Sequence, residues 1–402
     1  MLSNNISTEL LGLKGIIIKS VNQKEKLTTI EIEMEVSEQC CPSCNAVTTK
    51  IHDYREQTIK DTPAFGKNII LILKKRRYKC PNCGKQFYEK NTFLPRYHRM
   101  TNRLPALVID KLHEERSFSS VAREVNLSTN TVIRIFDLVN YQKPELSEVL
   151  AIDEFKGNAG HEKYQCIITD PKNGIVLDVL PKRYSHYLIS YFKDMERSHV
   201  KFFVSDMWKP YSDLAFNFLR NATQVVDKYH FIRQVVWAFE AIRKQEQKKF
   251  SKSHRIYFKR SRSLLIKQWD WLSDEQKQQV NVMLYASPTL SSAYFLKERF
   301  FKIFKADSHD EAKSLFKEWI EEALDSSIDT FRACAKTFIN WAPGILNSFD
   351  CPYTNGFTEG CNNKIKVLKR NAYGIRNFNR FRNRILHIFS HQKLENQKSS
   401  AA

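Results

Sequence analysis

Two short cysteine pairs restrict this chain more than any other feature. Cys41-Pro-Ser-Cys44 and Cys80-Pro-Asn-Cys83 share C-x2-C spacing, with a proline at the same place in each. A C-x-x-C turn aims two thiolates at one point, and two such turns close a tetrahedral zinc site. The pairs must therefore tie together the strand-like runs between them, of which "NIILILKKRRYKC" is the clearest. The expected unit is a zinc ribbon with one structural Zn²⁺ per chain, held by Cys41, Cys44, Cys80 and Cys83. Cys40 could replace Cys41 or stay unligated. Upstream, "GIIIKSV" and "LTTIEIEMEV" alternate and are rich in β-branched residues, as a β-hairpin requires.

Lys and Arg number 64 against 44 Asp and Glu, a formal net charge of +20. Such a field favours a polyanion, nucleic acid first and an acidic membrane second. No apolar run reaches the ~18 residues of a membrane span, and Met1-Leu2-Ser3-Asn4-Asn5 opens no signal peptide. A cytoplasmic protein is expected, and in that compartment doubled C-x2-C pairs mean metal rather than disulfides. Beside the second pair stand Lys74, Lys75, Arg76 and Arg77, followed by Tyr78. Cations next to an aromatic suit DNA phosphates. The alternative is a solvated strand edge carrying protective lysines.

From Leu104 to Val139 the periodicity turns helical. "LPALVIDKLHEERSF" reads as one amphipathic helix, and "SFSSVAREVNLSTNTVIRIFDLV" as two more. Ser119 or Ser120 caps the first of these, Val121, Ala122 and Val125 line its inner face, and Asn126 stops it. Ser128 or Thr129 caps the next, which carries Val132, Ile133, Ile135 and Phe136. This spacing fits a helix-turn-helix offering Thr129, Asn130, Thr131 and Arg134 to a DNA major groove. Three-helix packing without DNA is the alternative. Pro144 then marks a linker.

Beyond the linker the pattern is β-rich. "VLAIDEF", "KYQCIITD" and "IVLDVLP" read as three strands, "SHYLISYFKDME" as a helix and "VKFFVSDMWKPY" as a fourth strand. "YSDLAFNFLRN" is a helix, and "TQVVDKYHFIRQ" runs from a strand into a long helix. That is the element order of an RNase H-like fold, in which the first and fourth strands lie side by side. Asp153 and Asp206 would then meet at neighbouring strand ends. Two aspartates need a third carboxylate to hold two divalent cations, and Glu359 opens a helix after Asn355-Gly356. Alone, Glu359 is a charge on a helix N-terminus; with the two aspartates it completes a set. From Cys361 to Gln392 there is no acidic residue, while Lys364, Lys366, Lys369, Arg370, Arg376, Arg380, Arg382 and Arg384 all fall there.

Taken in order, "CPSC"/"CPNC", "AIDEFKG", "VSDMWKPY", "DKYHF" and "TNGFTEGCNNKIKVLKR" resemble a DDE transposase of a bacterial insertion sequence, most similar to the ISL-three group, over nearly the whole chain. The resemblance implies a multidomain α+β protein: an N-terminal zinc ribbon, a helix-turn-helix, and an RNase H-like α/β catalytic core interrupted by an all-α insertion. The expected spans are 1–98 (ribbon), 99–142 (helix-turn-helix), 146–232 and 346–395 (catalytic core) and 233–345 (insertion). It implies Asp153, Asp206 and Glu359 as the catalytic triad, holding two Mg²⁺ (or Mn²⁺) ions. His230, in a D-x-x-H motif with Asp227, could contact the scissile phosphate, orient a metal ligand or be structural. Lys366 resembles a residue that contacts terminal DNA, and Lys364, Lys369 and Arg370 join it.

The implied activity is metal-dependent strand cleavage and strand transfer on terminal inverted repeats and target DNA. Synapsis of two ends implies a homodimer, nucleoid-associated when bound. One rival reading is a DNA-binding regulator derived from a transposase, without catalysis. Another is a standalone RNase H-like nuclease. The carboxylate set argues against the first, and the DNA-binding modules and insertion against the second.

Overall fold

The computed structural model describes residues 11–253, 255, 258 and 262–399. They divide into two compact units. One comprises the chain up to Tyr141 together with residues 366–375 and 379–392, and the other Gln142–Ile365, Arg376–Phe378 and the residues after Gln392. Residues 346–365 and 376–378 thus fall with the second unit, and 366–375 and 379–392 with the first.

In the first unit, strands β1 (Ile16–Gln23), β2 (Leu27–Met34), β5 (Ile51–Ala64) and β6 (Lys67–Lys79) form a sheet in the order β1-β2-β6-β5. Short strands β3 (Gln39–Cys40) and β4 (Val47–Thr48) pair with each other, and β7 (Gln86–Tyr88) pairs with β6. The period-2 alternation of β6 puts Ile69, Leu71 and Leu73 on one buried face with Ile30, Ile32 and Ile59. Three helices follow: α1 (Arg103–Lys111), α2 (Phe118–Glu124) and α3 (Thr129–Phe136). Leu104, Val108, Val121, Ala122, Val132 and Phe136 close their shared core.

Two local expectations change here. The cap of α2 is Ser117, whose hydroxyl accepts the Ser120 N–H at 3.0 Å, not Ser119 or Ser120. The helix expected to run through "LPALVIDKLHEERSF" stops at Lys111. Leu112 and His113 close tight turns onto Ile109 and Asp110, and the carbonyls of Leu112, Glu114 and Arg116 accept from the buried Arg384 guanidinium. The guanidinium thus satisfies carbonyls that no further helical turn reaches. Asn126, at φ 54°, ends α2 in the left-handed region, and Ser128 caps α3.

The second unit holds β8 (Val149–Phe155), β9 (Gln165–Asp170), β10 (Ile175–Leu180), α4 (Ser185–Phe192), β11 (Phe202–Ser205), α5 (Lys209–Phe218) and β12 (Thr223–Val226). Sheet order is β10-β9-β8-β11-β12: the first three strands are antiparallel, and β8, β11 and β12 run parallel. Leu150, Ile152 and Phe203 pack one sheet face against Leu188, Phe192, Tyr211 and Leu214 of the helices.

Between Lys228 and Asp350 every regular element among the described residues is helical: α6 (Lys228–Lys249), α7 (Arg262–Ile266), α8 (Asp274–Tyr285), α9 (Pro288–Lys302), α10 (His309–Asp325) and α11 (Asp329–Asp350), with two short 3₁₀ turns. Phe231, Phe300, Trp319, Phe331 and Phe338 form their core, which also takes in Val226 of β12. Helix α11 lies so close to β12 that a Cβ on Gly344 would stand 2.8 Å from Val226 Cγ2. Helices α12 (Gly356–Asn371) and α13 (Phe378–Ser399) complete the fold.

Candidate active site

Strands β8 and β11 are parallel neighbours in register, with Ile152 opposite Ser205. The next residue is an aspartate in both, Asp153 within β8 and Asp206 just past the end of β11, so the two carboxylates stand at adjoining positions. Asp153 is 8% exposed. Its Oδ2 accepts from Asn362 Nδ2 at 2.7 Å and its Oδ1 from the Glu154 N–H at 2.7 Å. Burial, and then the Asp206 charge, push its carboxyl up to about 7.

Asp206 Oδ1 lies 2.7 Å from His230 Nε2, near the start of α6. The approach is an ion-pair distance without hydrogen-bond alignment, and Oδ1 is buried with no aligned donor. On the other side of the ring, Arg233 donates to Nδ1 at 3.4 Å. Arginine has no acceptor, so Nδ1 is the accepting nitrogen and the neutral ring carries its proton on Nε2, facing Asp206. Burial opposes the charged imidazolium, but Asp206 and Asp227 outweigh it and raise the His230 pKa.

Asp227 sits at the N-cap of α6, buried, and accepts the Asn355 N–H at 3.0 Å. Glu359 lies in the first turn of α12. Ligand atoms of Asp227, His230 and Glu359 all lie within 4.8 Å of one another. The Glu359 pKa is raised by burial and then by the Asp227 charge, and that of Asp227 by burial first. Burial, and after it neighbouring carboxylate charges, raise the Asp153, Asp227 and Glu359 pKa values; together with Asp206, whose Oδ1 is buried without an aligned donor, they form a donor set suited to divalent cations.

Sequence reasoning gave Asp227 no site role and Asn362 no specific partner. The D-x-x-H spacing was the signal for Asp227. Asn362, one helical turn after Glu359, carried no comparable signal. Trp208 packs against Tyr211, with ring centroids 4.8 Å apart, and under the Arg183 guanidinium.

The four N-terminal cysteines also converge. Cys41 Sγ lies 3.6 Å from Cys83 Sγ, and Cys44 Sγ 3.5 Å from Cys80 Sγ. A tetrahedron of Zn–S bonds of ~2.3 Å has edges of about 3.8 Å, so the spacing fits zinc. The two knuckles repeat each other. Asn45 and Gly84 donate to the Cys41 and Cys80 carbonyls at 3.0 and 3.1 Å, each in the left-handed region. Cys41 belongs to the cluster, and Cys40 is exposed on β3 outside it.

The basic run beside the ribbon divides. Arg76 is 3% exposed and is held by Glu33, Glu89 and the Met34 carbonyl, which removes it from any DNA surface. Arg77 forks onto Asp53. Lys74 is exposed over the Tyr54 ring, and Lys75 lies over Tyr88. In α3, Thr129, Asn130 and Arg134 are exposed and Thr131 is half-buried. In α12, Lys366 and Arg370 are exposed and Lys364 and Lys369 half-buried. Further on, the basic stretch without acidic residues is partly satisfied within the first unit. Arg380 forks onto Asp137, Arg382 donates to the Tyr141 carbonyl, and Arg384 is 1% exposed.

Residues 150–385 match the sequence profile of the ISL3 transposases. The chain belongs to that family. Two further matches agree with the first unit's parts: the zinc-finger of transposases IS204/IS1001/IS1096/IS1165 at residues 37–83, and the helix-turn-helix domain of transposase family ISL3 at residues 89–140. This ISL3 transposase is thus a multidomain α+β protein with a four-cysteine structural zinc site and a DNA-binding helix-turn-helix. It is 26% identical over 391 residues to the transposase for insertion sequence element IS1001 of Bordetella parapertussis, covering 94% of this chain and 96% of that one. A Lactococcus lactis subsp. lactis protein described as an ATP-dependent protease is 36% identical over 110 residues, 27% of this chain and 33% of its own length. No G-x4-G-K phosphate loop occurs in the present sequence. No described helix is long and apolar enough to cross a membrane.

Proposed function

We propose that this ISL3 transposase binds the terminal inverted repeats of its element and cuts and joins DNA at the carboxylate cluster. The observation that supports this most is the pairing of β8 and β11, which brings Asp153 and Asp206 to adjoining strand ends with His230 against Asp206. Asp153, Asp206 and Glu359 are the residues that would hold two Mg²⁺ (or Mn²⁺) ions, which supply Lewis-acid activation of the attacking and leaving oxygens.

The chain's own residues prepare that site. Asn362 fixes the Asp153 carboxylate in one orientation, and Asp153 burial keeps bulk water away. His230, with its proton on Nε2, steadies Asp206, and Asp227 ties the start of α6 to the backbone at Asn355. The reaction class is phosphoryl transfer: water displaces a strand to leave a 3′-hydroxyl, and that hydroxyl then displaces a strand of target DNA. The exposed Thr129, Asn130 and Arg134 read bases, with Thr131 at their edge. Lys74 and Lys75 of the ribbon and Lys364, Lys366, Lys369 and Arg370 of α12 contact phosphates. Two ends in one synapse call for a homodimer.

The test is a cleavage and strand-transfer assay on element-end DNA with Mg²⁺ or Mn²⁺. Wild type should cut and join, while Asp153→Asn, Asp206→Asn and Glu359→Gln should bind the ends and do neither. Binding by wild type without any cleavage would favour a DNA-binding regulator instead.

A further inference from the structure

Helix α6 carries His230 into the carboxylate cluster, but its solvent face has a separate pattern. Tyr229 and Trp237 are 52% and 58% exposed, large fractions for two aromatics on one helix. Between them lies Arg233, its guanidinium carbon 5.1 Å from the Tyr229 ring centroid and 4.6 Å from that of Trp237. Residues four apart on a helix are neighbours about 6 Å apart along the axis, so Tyr229, Arg233 and Trp237 form one stripe. Arg233 also reaches His230, 3.4 Å away, so the stripe begins at the cluster's edge. Farther along the same face, Lys244 and Lys248 are exposed.

Core packing does not explain this arrangement, since the buried face of α6 is made by Phe231, Val235, Ala238, Phe239 and Ile242. Nor does the helix need it: two exposed aromatics gain nothing from water. Rings interleaved with a guanidinium and followed by lysines are what a single strand of nucleic acid requires. Its bases stack on any π-face, its phosphates seek cations, and neither contact depends on sequence. A duplex hides its base faces and would use only the cations.

We infer that the Tyr229–Arg233–Trp237 stripe is a stacking platform for unpaired DNA, with Lys244 and Lys248 guiding the phosphates toward it. The inference rests on the functional reading above. It adds that DNA at this site is locally single-stranded, so that a few bases beside the cut lie on α6.

The test uses the zinc-loaded full chain without added Mg²⁺ or Mn²⁺, which prevents cleavage, with fluorescent dT20 and a 20-base-pair duplex as probes. Wild type should bind dT20. Trp237→Ala and Tyr229→Ala should each weaken dT20 binding roughly five- to hundredfold, the range of a lost base stack, and leave duplex binding unchanged. Trp237→Phe should restore most of the loss. Lys244→Ala should instead lower the salt slope on dT20 by about 0.7. Far-UV circular dichroism checks that each variant folds. No dT20 binding by wild type, unchanged dT20 affinity in the aromatic variants, or equal losses on both probes would overturn the platform. A change confined to the protein's self-association would also overturn it, assigning the stripe to a protein interface. Wild type that binds dT20 as expected but never cuts end DNA with Mg²⁺ would defeat the functional reading alone.

Discussion

Replacing Arg384 by methionine separates a structural cation from a DNA-binding one. The side chain is 1% exposed and donates to the carbonyls of Leu112, Glu114 and Arg116. Burial depresses its pKa to about 10, still charged at neutral pH. That depression, from 12.5, corresponds to roughly 3 kcal/mol opposing the buried charge. Against it stand three charge-assisted hydrogen bonds at ~1.5–3 kcal/mol each. Arg384→Met keeps most of the volume, recovers the burial term and strands three carbonyls, for a net loss of roughly 2–6 kcal/mol. Urea unfolding followed by circular dichroism should show the midpoint of the first unit's transition fall by on the order of 1 M. Binding to duplex DNA, measured well below that midpoint, should keep its wild-type salt slope. An unchanged urea midpoint, with a salt slope smaller by about 0.9, would show that Arg384 serves a phosphate and refute the reasoning.

Three further outcomes are expected. Metal analysis should find about one zinc per chain, and Cys80→Ser should release it and melt the ribbon; a zinc-free protein with an intact ribbon would count against the site. Zinc-loaded protein without Mg²⁺ or Mn²⁺ should lose stability as pH rises from about 4 through 7, because Asp153 is pushed up to about 7 and binds its proton more tightly folded than unfolded. His230, also raised, acts in the same direction, so Mn²⁺ should raise the melting temperature more at pH 8 than at pH 6; the opposite order in a calorimetric pH series would contradict this. Gly344→Ala should destabilise the second unit by about 1–3 kcal/mol, because its Cβ would press on Val226; a neutral melting curve would show that α11 shifts freely.

Much of the second unit is legible in sequence because its strands are continuous apolar runs bounded by turn signals, and their order dictates which are neighbours. That order alone pairs Asp153 with Asp206. The doubled C-x2-C spacing does the same for the ribbon. Most of the differences share a cause: a charged side chain's partner is set by tertiary contacts, not by its sequence neighbours. Arg76 and Arg77 read as a basic patch, yet Glu33 and Glu89 hold one and Asp53 the other. Arg380, Arg382 and Arg384 stand in a stretch with no acidic residue, yet each binds a residue more than 200 positions earlier. Ser117 cannot be told from Ser119 or Ser120 as a cap in sequence, because three serines within four residues offer the same hydroxyl and only the backbone selects among them.

The most direct measurement is anomalous diffraction from crystals of the full chain grown with Mn²⁺ and element-end DNA. The carboxylate cluster should give two Mn²⁺ peaks ~3.5–4 Å apart, contacted by Asp153, Asp206 and Glu359. No peak there, or a lone peak on Asp227, His230 and Glu359 with Asp153 uninvolved, would contradict a two-cation centre at the ends of β8 and β11.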